Sequence, residues 1–362
     1  MKTLVISAVN FTEGGPLTVL RDCVQAAAAL PGWRVVVMAH DGALIDTPGV
    51  QVMAYPRTKT SWLRRVALEW WGFERVSRAL RADLWLSLHD VTPRVQARRQ
   101  AVYCHNPAPF SRPSLRDIWF EPKFLAFSLL YGRLYSAFIR RNRFVVVQQA
   151  WLRQEFERRY GVSSVIVAHP AGEATSAVPA TPARRDGPPV FFYPAIARCF
   201  KNFEVVGRAL EILEADTAWQ GSVHWTLDGS ENRYARWLKR RFGHLRSLHW
   251  SGRLNRAQMQ QHYAQAHCLL FPSRVETWGL PITEAKQAGL PLLVADLPYA
   301  RETVGTWDRV AFFAPHDAPA LARLMAAVAR GHKPFEPVRQ APPDAPYAAD
   351  WHALMRQLTH EL

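Results

Sequence analysis

The chain has 362 residues, enough for two domains with hydrophobic cores, and its 49% hydrophobic content and mean hydropathy of -0.15 exclude a disordered protein. Its four cysteines, Cys23, Cys104, Cys199 and Cys268, form no C-x-x-C pair, which argues against a zinc site or a disulfide framework and favours a reducing cytoplasm. The net charge of +15 lies mostly in residues 1–169, which carry +11, and such a surface attracts either nucleic acid or an anionic membrane.

The first half of the chain alternates short apolar runs with helical patterns, which predicts a parallel sheet with helices on both faces. The apolar run at the N-terminus is too short for a signal-peptide core and reads as the first strand. Gly14 and Gly15 follow it, with a helix predicted from Pro16. Paired glycines allow a ligand close to the backbone, although such a turn is more often a tight connection than a site. Strands are predicted at 3–9, 34–39, 84–88, 100–104, 144–147 and 164–168.

Two segments of the first half, 57–81 and 111–143, interleave large aromatic and basic side chains. This pattern is typical of a membrane-interface element, in which rings lie at headgroup level and cations bind acidic lipids. The longest uncharged run of the second segment, 124–132, is nine residues, whereas a membrane-spanning helix needs about 20. The alternative is that many of the aromatic residues belong to the core. The predicted membrane surface, where a membrane-bound substrate would also be reached, consists of Trp62, Arg64, Arg65, Trp70 and Trp71.

His105 stands directly after the predicted strand 100–104. Ligands bind at the carboxyl edge of parallel strands, so this position suits a binding residue. A lone histidine is nevertheless more often structural than functional.

Residues 171–189 are rich in Ala, Pro, Thr and Ser and are predicted to link two domains, 1–170 and 190–345. The final segment, 346–362, has the apolar spacing of a helix. A second alternating set predicts strands at 190–193, 224–227, 247–250, 268–271, 291–294 and 310–313.

Three loops of the second half carry candidate ligand-binding residues. Arg198, Lys201 and Asn202 follow the strand 190–193, where two cations can hold a diphosphate, although an isolated pair of this kind is usually solvated. Gly229 follows the predicted strand 224–227, and Leu254 lies in the segment that follows 247–250. These last two signals are weaker, since a glycine after a parallel strand is ordinary.

The segment after the strand 268–271 carries two glutamates, Glu276 and Glu284. Pro281 suits a helix start, so the amides near Gly279 and Leu280 offer a seat for a phosphate. The glutamates flank that seat, as expected of carboxylates that bind sugar hydroxyls, although helix capping is the plainer explanation. The residues predicted to bind a phosphate-linked sugar here are Glu276, Gly279, Leu280, Pro281, Thr283 and Glu284.

The stretch Ser273-Arg274-Val275-Glu276-Thr277-Trp278-Gly279-Leu280-Pro281, with Glu284-Ala285 and Gly289-Leu290-Pro291 after it, resembles the donor-site signature of retaining glycosyltransferases of family 4. Trp278 stands where that family most often has Phe. The resemblance implies an α/β fold of GT-B architecture, with two Rossmann-like domains that face each other across a cleft. It also implies that the last helix crosses back onto the first domain.

The resemblance further implies roles for the residues identified above. Glu284 would hold the ribose hydroxyls, and Glu276 and His105 would contact the transferred sugar. Lys201, Arg198 and the amides at Gly279 and Leu280 would hold the diphosphate. The loop of Gly14 and Gly15 would lie beside the donor phosphates, and the loops of Gly229 and Leu254 beside the nucleotide. The implied catalytic residues are His105, Lys201 and Glu276.

The resulting expectation is a retaining transferase that moves a mannose-, rhamnose- or glucose-like hexose from a GDP- or UDP-linked donor to a glycan acceptor. Similar enzymes assemble bacterial polysaccharide and O-antigen, so we expect a lipid-linked acceptor at the inner face of the plasma membrane. No cofactor is expected, and the chain has no Asp-x-Asp, so no metal is expected either.

Two alternatives remain open at this stage. A GT-B epimerase or phosphorylase acting on related sugars has similar requirements. A basic nucleic-acid-binding protein of Rossmann-like architecture would account for the charge and the aromatic residues, but not for the segment from Glu276 to Glu284. RNA-binding modules of known pattern are absent from the sequence, so no nucleic-acid partner is expected.

Overall fold

The computed structural model describes residues 1–56, 58, 61–111, 113–170, 187–338, 340–360 and 362. Among these, 1–110, 128–170 and 343–362 form one compact unit, and 111–127 and 187–342 form a second. Residues 111–127, which we predicted to belong to the first domain, therefore belong to the second unit. The predicted linker 171–189 lies outside the described residues, apart from 187–189.

Parallel strands form the sheet of the first unit. They are β1 (Lys2–Ala8), β2 (Trp33–Ala39), β3 (Gln51–Ala54), β4 (Leu84–Ser87), β5 (Arg99–Cys104), β6 (Phe144–Val147), β7 (Val165–Ala168) and β14 (Tyr347–Ala348). Within the described residues the strand order is β14-β7-β6-β5-β4-β1-β2-β3. β3 and β14 were not predicted; both are edge strands, of four and two residues, and no residue of β3 is fully buried.

Helices cover this sheet. They are α1 (Gly14–Ala28), α2 (Trp62–Ala67), α3 (Phe73–Leu80), α6 (Ala150–Tyr160), α13 (Trp351–Thr359) and the part of α5 (Pro122–Ser136) that begins at Ser128. A π-helical turn, Leu68–Gly72, connects α2 to α3. The apolar side of α13 is buried against the core that α1 and β1 also line, which places the C-terminal helix in the first unit.

The second unit has the parallel strands β8 (Val190–Tyr193), β9 (Ser222–Trp225), β10 (Leu248–Trp250), β11 (Cys268–Phe271), β12 (Leu292–Ala295) and β13 (Val310–Phe313). The order is β10-β9-β8-β11-β12-β13. β9 begins two residues earlier than predicted and ends before Thr226, whose hydroxyl bonds both the N–H and the carbonyl of Ala195 instead. The helices are α4 (Leu115–Phe120), α7 (Phe203–Glu214), α8 (Arg233–Phe242), α9 (Arg256–Gln265), α10 (Leu280–Gln287), α11 (Pro298–Val304) and α12 (Ala318–Ala329).

Both sheets contain one point at which the direction of chain progression reverses. In the first sheet it lies between β1 and β4, and in the second between β8 and β11. The loops that leave the carboxyl ends of such strand pairs diverge, which opens a crevice where ligands bind in open α/β sheets. The expected α/β fold with two parallel sheets is confirmed. The two reversal points are therefore the places in this fold where a ligand site is expected.

Candidate functional site

Two loops meet at the strand reversal of the second unit, and we call their junction the second-unit site. Lys201 lies in the loop after β8 and Glu276 in the loop after β11, and the Lys201 ammonium pairs with the Glu276 carboxylate. Their side chains are only 12% and 13% exposed. The rings of Phe200 and Phe271 lie 5.5 Å and 5.8 Å from the Lys201 nitrogen. Two predicted residues 75 positions apart therefore form one partly desolvated ion pair.

Backbone and side-chain hydrogen bonds hold these two loops together. The Arg274 N–H donates to the Phe200 carbonyl over 2.7 Å. The buried side-chain amide of Asn202 donates to the carbonyls of Pro272 and Pro315 over 3.1 Å and 2.7 Å. Asn202 was predicted to bind the donor, but the structure uses its amide to fix the loops.

Helix α10 starts beside this ion pair. Gly279 precedes it with a φ of 90°, and a Cβ there would lie 3.2 Å from the Phe271 ring, so the position requires glycine. The helix begins at Leu280, with Pro281 second, one position earlier than Pro281 alone suggested. Pro281 has no N–H, and the Ile282 N–H donates to the Gly279 carbonyl over 2.9 Å, so the N–H groups that this helix start can offer an anion are those of Gly279 and Leu280.

Hydrogen bonds of Trp278 stabilise the start of α10. Its indole N–H donates to the buried Thr283 hydroxyl over 3.0 Å, and the Thr303 hydroxyl donates to its carbonyl. A phenylalanine at position 278 has no such donor. Thr283, predicted to bind the donor, is thus engaged in the packing beneath α10.

Glu284 lies on the exposed side of α10, one turn into the helix. One of its carboxylate oxygens, Oε2, accepts a hydrogen bond of 2.6 Å from the Tyr263 hydroxyl of α9. Burial, and then the charge of Glu284, raise the pKa of Tyr263 well above its ordinary value, so this hydroxyl remains a donor. Tyr263 therefore orients the Glu284 carboxylate, which remains accessible from solvent.

Two carboxylates from the segment 111–127 pair with the arginines of these loops, and no sequence pattern predicted either pair. Glu121 lies 3.0 Å from the Arg198 guanidinium and also accepts from the Cys199 N–H over 2.9 Å. Asp117 lies 2.6 Å from the Arg274 guanidinium. Burial opposes the charge of Asp117, but the hydrogen bond from Arg274 holds its pKa below the ordinary value. Arg198, predicted to bind diphosphate, is thus paired within the second unit.

The loops of Gly229 and Leu254 lie after β9 and β10. Gly229 has a φ of 95°, but its N–H and that of Asp228 donate to the Glu231 carboxylate over 3.0 Å and 2.7 Å. These amides are therefore already bonded within the loop. Leu254 is half-buried and lies just before α9.

The strand reversal of the first unit holds a cavity of about 330 Å³, which we call the first-unit pocket. Gly14 and Gly15, which were predicted to precede a helix, are instead its first two residues, and Gly14 has a φ of 65°. They lie between two lining residues, so the pocket includes the start of α1. Its lining residues are Asn10, Phe11, Thr12, Glu13, Pro16, Arg65, His89, Asp90 and His105.

Asp90 is the centre of a buried hydrogen-bond network beside this pocket. Its carboxylate accepts from the N–H groups of His105 and Asn106 over 2.6 Å and 3.1 Å. It also accepts from the hydroxyls of Tyr131 and Tyr135 over 3.2 Å and 2.9 Å. His105 thus lies in a pocket, as predicted, whereas Asp90 was missed because only the fold brings the loop after β4 to the end of β5.

Arg65 was predicted to lie on a membrane surface, and this prediction is wrong. Arg65 is only 8% exposed and lines the first-unit pocket. Its Nε lies 2.8 Å from the carboxylate of the fully buried Glu69, and its Nη2 donates to the His89 carbonyl over 2.8 Å. Burial opposes the charge of Arg65, but Glu69 raises its pKa above the ordinary value. The arginine is part of the core.

The other residues of the predicted surface divide between core and solvent. Arg64 is exposed and Trp71 is 59% exposed. Trp70 is half-buried, with its ring against those of Trp71 and Phe138 at centroid distances of 6.1 Å and 5.5 Å. The Trp62 side chain lies outside the described part of the chain. We call the half-buried Trp70 and the exposed Trp71, Phe138, Arg140 and Arg141 the aromatic-basic patch.

The second aromatic segment is folded largely inwards. Phe120, Tyr131 and Tyr135 are buried, whereas Trp119 and Leu130 are exposed. The aromatic residues of both segments therefore contribute to the core as well as to the surface.

The described ranges contain no group of three or more His, Cys, Asp or Glu side chains placed to hold a metal ion. No helix among the described residues combines the length and the apolarity needed to cross a bilayer.

Comparison with family models finds one similarity, and it covers most of the second unit. Residues 178–336 match the model of the group 1 glycosyl transferases. Comparison with curated protein sequences gives no match.

Several solved structures share the fold over most of the chain. A sucrose-phosphate synthase from Thermosynechococcus elongatus has 14% identity and a TM-score of 0.66, over 91% of this chain and 90% of its own. The lipopolysaccharide outer core galactosyltransferase WaaB has 16% identity and a TM-score of 0.61, over 98% and 95%. HepE from Anabaena, solved with UDP-glucose, has 15% identity and a TM-score of 0.62, over 99% and 95%. Residues 178–336 are therefore similar in sequence to the group 1 glycosyl transferases, and the two parallel sheets give the chain the fold of GT-B glycosyltransferases.

Proposed function

We propose that this glycosyltransferase moves a hexose from a UDP- or GDP-linked donor to a glycan acceptor with retention of configuration and without a metal ion. The observation that carries the proposal is the Lys201–Glu276 ion pair beside the start of α10, within the group 1 domain. A cation and a helix N-terminus together can bind a diphosphate. HepE, a protein of the same fold, was solved with UDP-glucose, which supports this donor class.

In the proposed reaction, the bond between the anomeric carbon and the diphosphate oxygen breaks while the acceptor oxygen bonds the same face of the sugar. The proton of the acceptor hydroxyl passes to the departing phosphate. Negative charge therefore grows on the diphosphate, where Lys201 and the first-turn amides of α10 stabilise it. Arg198 would assist once it leaves Glu121. Glu276 would bind the transferred sugar, and Glu284 the ribose hydroxyls.

The acceptor we propose is a lipid-linked glycan of a cell-surface polysaccharide or lipopolysaccharide, reached from the cytoplasmic side of the plasma membrane. WaaB, a lipopolysaccharide galactosyltransferase by name, supports this acceptor class. The aromatic-basic patch of the first unit would contact the anionic membrane surface. A nucleic-acid-binding protein would leave the match to the group 1 glycosyl transferases unexplained. An epimerase or phosphorylase has similar requirements at the site, and the donor screen below separates it from a transferase.

A donor screen tests the proposal. We expect one UDP- or GDP-linked hexose to bind by calorimetry and to be transferred in excess chelator, with the anomeric configuration retained by NMR. Loss of activity on chelation, restored by Mg²⁺ or Mn²⁺, would overturn the metal-free mechanism. Inverted product would overturn the retaining one, and binding without transfer to any glycan would favour the epimerase or phosphorylase.

The Glu284→Ala variant tests the ribose assignment. The substitution removes the hydrogen bonds between the ribose hydroxyls and the Glu284 carboxylate, which contribute about 1.5–3 kcal/mol. We therefore expect the donor affinity to fall by about 10- to 150-fold. Gln287→Ala, an exposed change on the same helix, is the matched control and leaves affinity unchanged. Equal affinity in both variants would refute the role of Glu284.

A further inference from the structure

Asp90 has an unusual backbone conformation for a buried residue. It lies in the left-handed region with a φ of 69°, where aspartate is tolerated better than most side chains but still at a cost in free energy. Asp90 lies in the loop after β4, next to His89 in the chain, and both residues line the first-unit pocket. Costly backbone conformations of this kind cluster at functional sites, which favours a specific role for the Asp90 side chain in this pocket.

The carboxylate of Asp90 accepts hydrogen bonds from two directions. Tyr131 and Tyr135 donate from α5, and the N–H groups of His105 and Asn106 donate from the end of β5. These hydrogen bonds fix the position of its oxygens relative to the backbone of His105.

The His105 imidazole lies against the same carboxylate. Its Nδ1 is 3.4 Å from Oδ1 of Asp90, and it has no aligned hydrogen-bond partner within the described residues. The ring is held edge-on by Phe11 at a centroid distance of 5.2 Å and lies 6.0 Å from the Tyr103 ring. A carboxylate at this distance favours a proton on the nearer ring nitrogen.

We propose that Asp90 is a positioning residue for His105. Its carboxylate selects the tautomer with the proton on Nδ1, so that Nε2 accepts a hydrogen bond from a hydroxyl group of a sugar in the first-unit pocket. This inference rests on the proposed function in one respect, the identity of the ligand as a sugar. A neutral imidazole with the opposite tautomer would present a donor to the same hydroxyl, and a sugar hydroxyl would have to bind in a different orientation.

The first measurement needs no substrate. In long-range ¹H–¹⁵N spectra of protein with ¹⁵N-labelled histidine, we expect the His105 Nδ1 to carry the proton and Nε2 to be unprotonated. Asp90→Asn keeps an acceptor for the two backbone N–H groups but removes the charge, and we expect it to mix the two tautomers. A proton on Nε2 in the unmodified protein, or an unchanged tautomer in Asp90→Asn, would overturn the proposal.

The second measurement uses turnover. We expect Asp90→Asn to lower kcat by about tenfold or more while the KM for the donor changes less than about twofold, since orienting partners of an active histidine have effects of this order. In the His105→Ala background the same substitution has no further effect. Additive effects of the two substitutions would show that Asp90 acts independently of His105 and would refute the proposal.

Tyr131→Phe is the matched control. It removes one hydrogen bond from the same carboxylate and keeps the charge beside His105. We expect it to lower the thermal midpoint without reproducing the fall in kcat. A fall in kcat equal to that of Asp90→Asn would make the whole network merely structural.

A third pair of variants decides the question if Asp90→Asn does not fold. The Gln amide in His105→Gln reaches the position of Nε2, whereas the Asn amide in His105→Asn reaches only that of Nδ1. We expect His105→Gln to retain more activity, and equal or reversed activities would refute the proposal. Absence of transfer by the unmodified protein would overturn the proposed function, and the tautomer measurement would still decide the role of Asp90.

Discussion

At the scale of single residues, the structure pairs the charges that a donor would use. Lys201 is bound to Glu276, and Arg198 to Glu121, so a diphosphate has to share or displace these carboxylates. A binding cation held by a carboxylate is kept in position but is partly neutralised before the ligand arrives. Of these two pairs, Lys201–Glu276 is the more shielded from solvent, so we expect its loss to have the clearer effect on the kinetics.

We expect Lys201→Ala to lower kcat by about 10²- to 10³-fold while donor affinity falls only a few-fold, because the charge it faces grows in the transition state. Steady-state kinetics together with calorimetry measure the two effects. Arg301→Ala, which breaks an exposed pair with Asp296 in the same unit, is the control and leaves both unchanged. A raised KM with unchanged kcat would make Lys201 a uniform binder instead.

Arg65 shows how burial changes the meaning of a charge. Its partner Glu69 is completely buried, so removal of the arginine leaves a carboxylate without its counter-ion. We expect Arg65→Met to lower the free energy of unfolding by about 3–5 kcal/mol in urea denaturation. Arg64→Met, an exposed change on the same helix, shifts it by about 0.5 kcal/mol or less. Equal shifts would mean that the Arg65–Glu69 pair contributes nothing to stability.

At the scale of elements, the start of α10 depends on one glycine. An alanine at position 279 would occupy a left-handed conformation and would also contact the Phe271 ring. We expect Gly279→Ala to destabilise the protein by about 1–3 kcal/mol and to weaken donor binding, because the first-turn amides shift.

Gly32→Ala provides the control for this substitution. Gly32 has a similar φ of 77°, but a Cβ there meets no atom within 4 Å. It therefore reports the backbone cost alone and leaves donor affinity unchanged. The same donor affinity in both variants would show that α10 does not seat the phosphate.

A histidine group on the second sheet makes its stability depend on pH. His224 of β9 lies opposite His249 of β10, and His262 of α9 is near it. Burial, and then the two other histidines, lower the pKa of His224 to about 4. Because the unfolded chain binds this proton at about pH 6.5, stability is fully present above that pH and is lost as the pH falls towards 4.

We therefore expect the urea midpoint to fall between pH 7.5 and pH 4.5, and to fall less in His224→Gln. His244→Gln, at an exposed position of the same unit, is the control and follows the unmodified protein. The role of His224 would be refuted if its variant lost as much stability on acidification as the control.

At the scale of the whole molecule, positive charge is concentrated in residues 1–169, and the aromatic-basic patch combines cations with exposed rings. Attraction of a basic patch to anionic lipid contributes about 1 kcal/mol per well-placed cation and is screened by salt. An exposed tryptophan such as Trp71 adds an apolar contribution that salt does not remove.

We expect the protein to float with anionic vesicles at low salt and to bind less, but measurably, at high salt. Arg140→Glu with Arg141→Glu reduces binding at low salt, and Trp71→Ser reduces the part that resists salt. Ile212→Ser, which removes an exposed apolar side chain from the second unit, is the control. Protein that stays in solution at low salt, on anionic as on neutral vesicles, would exclude this surface and favour a soluble acceptor.

The sequence by itself determined most of the strands. β6, β8, β11 and β13 agree with the predictions at both ends, because parallel strands buried on both faces are continuous apolar runs. The sequence also located the loop of Lys201 and the loop of Glu276. Glycine, proline and charged residues directly after a predicted strand indicate a turn, a helix start or an anion-binding loop without any knowledge of distant residues. These features depend on residues that are neighbours in the chain.

Only the tertiary structure decided features that depend on distant residues. Arg64 and Arg65 are adjacent on one helix, yet only Arg65 is buried, because Glu69 and the carbonyl of His89 receive its charge. Likewise, no local pattern pairs Asp90 with His105, since these residues meet only when β4 and β5 lie side by side. A charged side chain is stable in the interior wherever its partners are supplied, and the fold alone supplies them.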